Sequence, residues 1–267
     1  SLKEKYDSAL YYKEILEFQF GEYIFKGAFP ELAKTQDAKI INKYISNSVI
    51  ERIIFKDIPE VFDVKNKQAL NSILLFSARE TSNLFTFENL SQIIGIDRET
   101  AKKYVNYLVL SLIIDELWNY TASAAKQIRT NKKVHIIHPS ISIAVQKYRR
   151  EILSINEVMG RYVESIVYQH CRLFADRLFF WRTPQKEEVN IIAEVKNKLI
   201  PVEVKYQNQI TKSDIKSIMK FAKKYRCENA VVITKDLFKE ETIDEVALKY
   251  IPAWFFGIVG DKIIEYE

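Results

Sequence analysis

Glu203-Val204-Lys205 places a carboxylate and an ammonium two residues apart, and Asn190, with Glu188 just before it, stands thirteen residues upstream of Glu203. Side chains alternate along a strand, so Glu203 and Lys205 share a face if 199–206 is extended. Lys196-Asn197-Lys198 reads as a tight turn between the β-rich runs 188–195 and 199–206. Such a hairpin brings Asn190 beside the other two. Acidic oxygens on adjacent strands can hold a hard cation such as Mg²⁺. The cation polarises a phosphodiester and activates a water. A lysine sets positive charge against the charge that develops, or orients the nucleophile. The same alternation also reads as an ordinary charged surface strand.

Around this hairpin the pattern predicts a helix from Gly160 to about Phe174, with Val163, Ile166, Val167 and His170 on its apolar side. A strand at 178–182 comes before the hairpin. A basic helix at 212–225 follows it, then a strand at 230–234, a helix at 240–249 and a last strand at 251–256. This alternation predicts an α/β fold with a central mixed sheet for 151–267. Upstream, 1–80 reads as a helical region, with helices at 3–20, 37–55 and 67–80 and stops at Gly21, Gly27 and Pro59.

Residues 81–150 carry a helix–turn–helix pattern. Phe87, Leu90, Ile93 and Ile94 are followed by Gly95, and Asp97 can cap the next helix. Arg98, Lys102 and Asn106 lie four apart on one face of that helix, opposite Ala101, Tyr104, Val105 and Leu108. Strands at 112–120 and 134–137 read as a wing, with Lys126, Arg129, Lys132 and Lys133 in the loop between them. A winged helix can seat its second helix in a major groove, and many instead contact protein. His135 and His138, three apart, would face opposite sides of a strand, so they read as satisfied or exposed histidines rather than ligands.

The charge is uneven. Nine basic residues between Lys196 and Arg226 face only Glu203 and Asp214, a local +7 in a chain of net +5. Lys212, Lys216 and Lys220 line one side of the basic helix. That is the footprint expected for a phosphate backbone, and equally that of a solvated lysine-rich face. Cys171 and Cys227 have no CxxC spacing, so a reducing, cytoplasmic setting is expected. No run of about twenty apolar residues predicts a membrane span. The chain starts Ser1-Leu2-Lys3 without Met or a signal sequence, which reads as the later part of a longer chain.

Residues 160–250 resemble the PD-(D/E)XK nuclease superfamily, the restriction-endonuclease-like fold. The resemblance implies Glu203 and Lys205 as the acid-x-lysine pair and Glu164 as the helical acid. Asn190 stands where that family carries Asp. It implies a catalytic group of Glu164, Asn190, Glu203 and Lys205. The metal ligands would be Glu203 and Glu164, with Glu188 compensating, and Mg²⁺ or Mn²⁺ would be held weakly or not at all because Asn is neutral.

The chain as a whole resembles the C-terminal region of prokaryotic AAA-type ATPases that carry a domain of unknown function after the motor. The landmarks run in order: Gly27-Ala28-Phe29-Pro30-Glu31, Val49-Ile50-Glu51-Arg52, Lys56-Asp57-Ile58, the helix–turn–helix, Lys133-Val134-His135 to His138-Pro139, Gly160 with Glu164, and the Glu188–Lys205 hairpin. No GxxxxGK[ST] occurs, so an ATP-binding P-loop domain is expected outside this sequence. The function expected from these readings is an accessory region of such an ATPase that binds nucleic acid, DNA before RNA, through a winged helix and a degenerate nuclease-like domain. The alternatives are an active metal-dependent nuclease and a protein-interaction module that regulates the ATPase domain.

Overall fold

A computed structural model describes residues 1–27, 29–121 and 130–265. Ala28, and Lys126 and Arg129 of the expected wing loop, lie outside the described residues. The chain is mixed α/β and forms two compact units. One contains Glu22–Leu117 and Asn131–Ile155; the other contains Ser1–Gly21, Trp118–Thr130 and Asn156–Glu267.

The first unit is mainly helical. Asp37 caps α3 (Ala38–Lys43) by accepting from the backbone N–H groups of Lys39 and Ile40. The helical path then runs through widened π turns at Tyr44–Glu51 and Ile53–Asp57 into α4 (Ile58–Val61). The expected stop at Pro59 fails because the proline sits in the first turn of α4, where its missing N–H costs no hydrogen bond. Asn66 caps α5 (Lys67–Arg79). Thr86 caps α6 (Phe87–Ile94), and Gly95 ends it at φ 76°. Asp97 caps α7 (Arg98–Leu110), whose Ala101, Tyr104, Val105 and Leu108 are buried. Strands β1 (Leu84–Phe85), β2 (Ile114–Asn119) and β3 (Lys132–Ile136) follow the order β1-β3-β2.

Two of the four expected wing-loop cations are not in a loop. Lys132 and Lys133 lie on β3: Lys132 pairs with Glu116 at 3.3 Å and lies over the Phe87 ring, and Lys133 is buried. His135 is fully buried on the same strand, and burial, with Lys133 nearby, pushes its pKa well below the usual value. His138 is past the strand and caps α8 (Pro139–Val145), its Nδ1 accepting from the Ser140 N–H. Gly27 has φ 73°, and a Cβ there would stand 2.8 Å from Ser140 Oγ, so glycine is required on both counts.

The second unit opens with two helices where one was expected at 3–20. These are α1 (Leu2–Leu10), with a capping box from Ser1 and Glu4, and α2 (Lys13–Lys26), which from Glu22 onward is counted in the first unit. Gly21 lies inside α2 and does not end it. Tyr6 of α1 stacks on Phe238 at 4.1 Å and meets Phe255 edge-on.

Next come α9 (Asn156–Cys171), β4 (Arg177–Arg182), β5 (Glu188–Val195), β6 (Lys198–Lys205), α10 (Lys216–Tyr225), β7 (Asn229–Thr234), β8 (Lys239–Ile243), β9 (Val246–Pro252) and α11 (Ala253–Glu265). The sheet is mixed, in the order β4-β5-β6-β7-β9-β8. Strands β4, β5 and β6 are antiparallel, whereas β6–β7 and β7–β9 are parallel. Trp118 and Asn119 lie parallel to β4 at the edge. Ile218, Phe221 and Ala222 fasten α10 to a core of Trp181, Val189, Ile192, Val232 and Leu248.

The expected helix at 240–249 and strand at 251–256 are both overturned. Residues 239–252 form the β8–β9 hairpin, and the chain turns helical at Ala253. Val246, Leu248 and Tyr250 alternate toward the core, and Asp244 and Glu245 turn the chain at φ 48° and 68°. The parallel partner β7 favours the strand over the helix propensity of a Glu- and Lys-rich run.

Candidate functional site

The pattern that makes 188–205 a hairpin is plain once the strands are seen. Ile191, Ile192, Ala193, Ile200 and Val202 are buried, while Lys196 and Asn197 adopt positive φ at the turn. Register from Val195–Lys198 to Ile191–Val202 puts Asn190 next to Glu203. Helix α9 contributes Glu164 from a turn otherwise buried through Val163, Ile166 and Val167.

The structure brings Glu164, Asn190, Glu203 and Lys205 together. Lys205 Nζ is 2.8 Å from Glu203 Oε1. The Asn190 backbone N–H donates to Glu203 Oε2 at 3.1 Å, and its Nδ2 donates to Glu164 Oε2 at 2.8 Å. Its Oδ1 accepts from the Val204 N–H at 2.9 Å. Glu164 and Glu203 are buried at 8% and 4% exposure, which is the degree at which an unpaired carboxylate would be costly.

Burial lifts the Glu203 carboxyl above its usual range, although Lys205 and the Asn190 N–H pull it down. For Lys205, burial pulls downward, but Glu203's charge and hydrogen bond outweigh it and hold the ammonium above its usual value. Asp214, which its sequence position does not single out as a site residue, also acts on Lys205. Its carboxylate accepts from the Thr211 N–H at 2.8 Å and the Thr211 hydroxyl at 2.7 Å. The Thr-x-x-Asp spacing was the available signal.

Glu188 is engaged by Arg182, and Glu194 pairs with Arg177 at 2.8 Å. Among the described residues no three His, Cys, Asp or Glu side chains form a group that could hold a metal ion, so Glu164, Glu188 and Glu203 do not make one. The residues do not fit Mg²⁺ or Mn²⁺. Both Glu203 oxygens already accept, and Asn190 presents an NH₂ to Glu164 where a cation would need a lone pair.

The basic helix is shorter than expected, so Lys212 precedes α10. Lys212, Lys216, Lys220, Lys223, Lys224 and Arg226 are exposed, and the buried stripe turns the other way. Lys220 pairs with Glu187 at 2.6 Å. In the other unit Arg98 and Asn106 of α7 are exposed and Lys102 is half-buried. Arg98 lies 3.8 Å from Glu88 and Lys102 2.7 Å from Glu99. No helix among the described residues is long and apolar enough to cross a membrane.

Residues 17–151, half of the chain, match the family described as Domain of unknown function (DUF8612). Residues 159–255 match Domain of unknown function (DUF4143). A Haemophilus influenzae protein described as "Uncharacterized protein" is 19% identical over 240 residues, covering 88% of this chain. The match takes in 57% of that protein's length, so the chain spans little more than half of the relative.

Proposed function

The chain belongs to the DUF8612 family, and from that premise we propose that it is the C-terminal accessory region of an AAA-type ATPase that binds nucleic acid, DNA before RNA, without cutting it. The ATPase link is supported by the DUF4143 match, because that domain is often found C-terminal to AAA-type ATPases. The order α5-β1-α6-α7-β2-β3 supports a winged-helix reading of its segment. The order α9-β4-β5-β6-α10-β7, with Glu164 and Glu203–Lys205 at adjoining positions, supports a restriction-endonuclease-like reading of the other.

One observation carries the binding proposal. Around α10 the lysines stand on water while the apolar residues fasten the helix to the sheet. Phosphate binding by such a face releases condensed counterions and is steeply salt-dependent. The test is a fluorescence anisotropy titration of labelled duplex and single strands at several salt concentrations. The variant K212E/K216E/K223E should bind at least about tenfold more weakly, its salt slope lower by about one for each phosphate that is no longer neutralised. Equal affinity for wild type and variant would dismiss the proposal. Incubation with DNA and RNA plus Mg²⁺ or Mn²⁺ should leave both intact; cleavage lost in E203A would establish the active-nuclease alternative instead.

A second reading, a protein-interaction surface that regulates the ATPase domain, is favoured at α7. Its Arg98 and Lys102 are paired with Glu88 and Glu99, which offers a mixed-charge face rather than a cationic one.

A further inference from the structure

The antiparallel ladder between β5 and β6 continues as far as Ile191–Val202. One residue further on, side chains take over from backbone. The Asn190 N–H is held by the Glu203 carboxylate, and the Val204 N–H by the Asn190 amide oxygen. Two backbone donors that a regular ladder would direct at carbonyls are therefore satisfied by a fork of side chains. Because Oδ1 faces the Val204 N–H, Nδ2 is the atom that faces Glu164. The residue at 190 must accept and donate at once. Asn can do this, whereas an ionised Asp can only accept. Lys205 closes the remaining side of Glu203. Two buried carboxylates are thus held separately, Glu164 by the Asn190 side-chain NH₂ and Glu203 by the Asn190 backbone N–H and Lys205.

We infer that Asn190 is the residue that shuts this carboxylate group against divalent cations, its side-chain NH₂ facing Glu164 where a cation would need an oxygen, and that the single change N190D opens a Mg²⁺- or Mn²⁺-type site there. With Asp at 190 the NH₂ is gone, and a third oxygen-only ligand meets Glu164 and Glu203. Their mutual repulsion is then relieved by a hard cation or by a proton held among them. This closure goes beyond the binding proposal and does not depend on it. Cation binding is measured without nucleic acid, so its failure and that of the α10 proposal are separate.

The test is thermal melting of the full chain in EDTA and in about 1 mM MnCl₂. Wild type should melt at the same temperature in both. N190D should melt lower in EDTA and gain about 5 °C or more with Mn²⁺. N190D/E203Q should lose that gain, as a site built on Glu203 requires. A Mn²⁺-dependent rise in wild type that E203Q removes would overturn the inference, and so would a folded N190D that Mn²⁺ leaves unmoved. Should N190D not fold, equilibrium dialysis of wild type against MnCl₂ decides. A stoichiometric site lost in E203Q refutes the closure, and no such site upholds it.

Discussion

The fork at Asn190 and the outer face of α10 are both dense in charged and polar residues, yet they are built to opposite ends. In the fork, Glu164, Asn190, Glu203 and Lys205 are turned on one another, and the two carboxylates are buried. On α10, the lysines are turned on solvent; Lys220 pairs with Glu187, and Lys224 lies over the Trp181 and Tyr225 rings. A satisfied polar network in a low-dielectric setting contributes to a unique fold and resists ligands that would have to displace its members. A solvated row of ammonium groups contributes little to stability and keeps its charge available. Helix α7 stands between these extremes, its cations exposed but already facing acids.

The contrast can be broken by substitution. The largest effect is expected from N190A, which strips the Val204 N–H of its acceptor and Glu164 of one donor. Each lost partner of a buried group costs about 1–3 kcal/mol, so urea unfolding should show a loss of about 2–6 kcal/mol, while nucleic-acid affinity of the folded protein stays put. A loss of a few tenths would mean that the fork is not a working network.

The converse experiment comes next. K212E/K216E/K223E should weaken binding by about tenfold or more and leave the melting temperature unchanged. If the melting temperature falls with affinity, the lysine face and the fold are not separable.

A smaller effect concerns pH. Glu203 has a raised carboxyl pKa in the fold, so the folded chain binds that proton more tightly than the unfolded chain. Its contribution to stability is fully present below the ordinary glutamate range and is lost as pH rises through the raised value. The stability of wild type relative to E203Q should therefore fall as pH increases from acid toward neutral. A flat difference across that window would remove the burial argument.

The smallest change is expected from R98A/K102A. If Glu88 and Glu99 have taken these charges, nucleic-acid affinity should move by less than about twofold. A tenfold loss would put α7 beside α10 as a binding face.

Much of the scaffold was legible because local rules were obeyed. Asp97 caps a helix and Gly95 closes one, as a carboxylate side chain and freedom of φ permit. Alternation correctly set Glu203 and Lys205 on one face, and the hairpin put Asn190 next to them. Local rules failed where distant partners decided. Glu240–Lys249 has helix-forming residues but pairs as β8–β9 because β7 is there to receive it. Lys132 and Lys133 looked like loop cations and belong to a strand, one of them buried. Glu188 looked like a spare ligand and is held by Arg182.

The residue order by itself determined which groups could meet. Caps, turns and the period of two along a strand act over a few residues, and they place Glu203 with Lys205 whatever the rest of the chain does. Only the tertiary structure decided what those groups do when they meet. Whether a carboxylate is free or taken, and whether a lysine faces water or an acid, depends on neighbours far away in sequence: Glu164 is 26 residues from the amide that holds it. Burial and hydrogen-bond competition are settled there, by space and not by spacing.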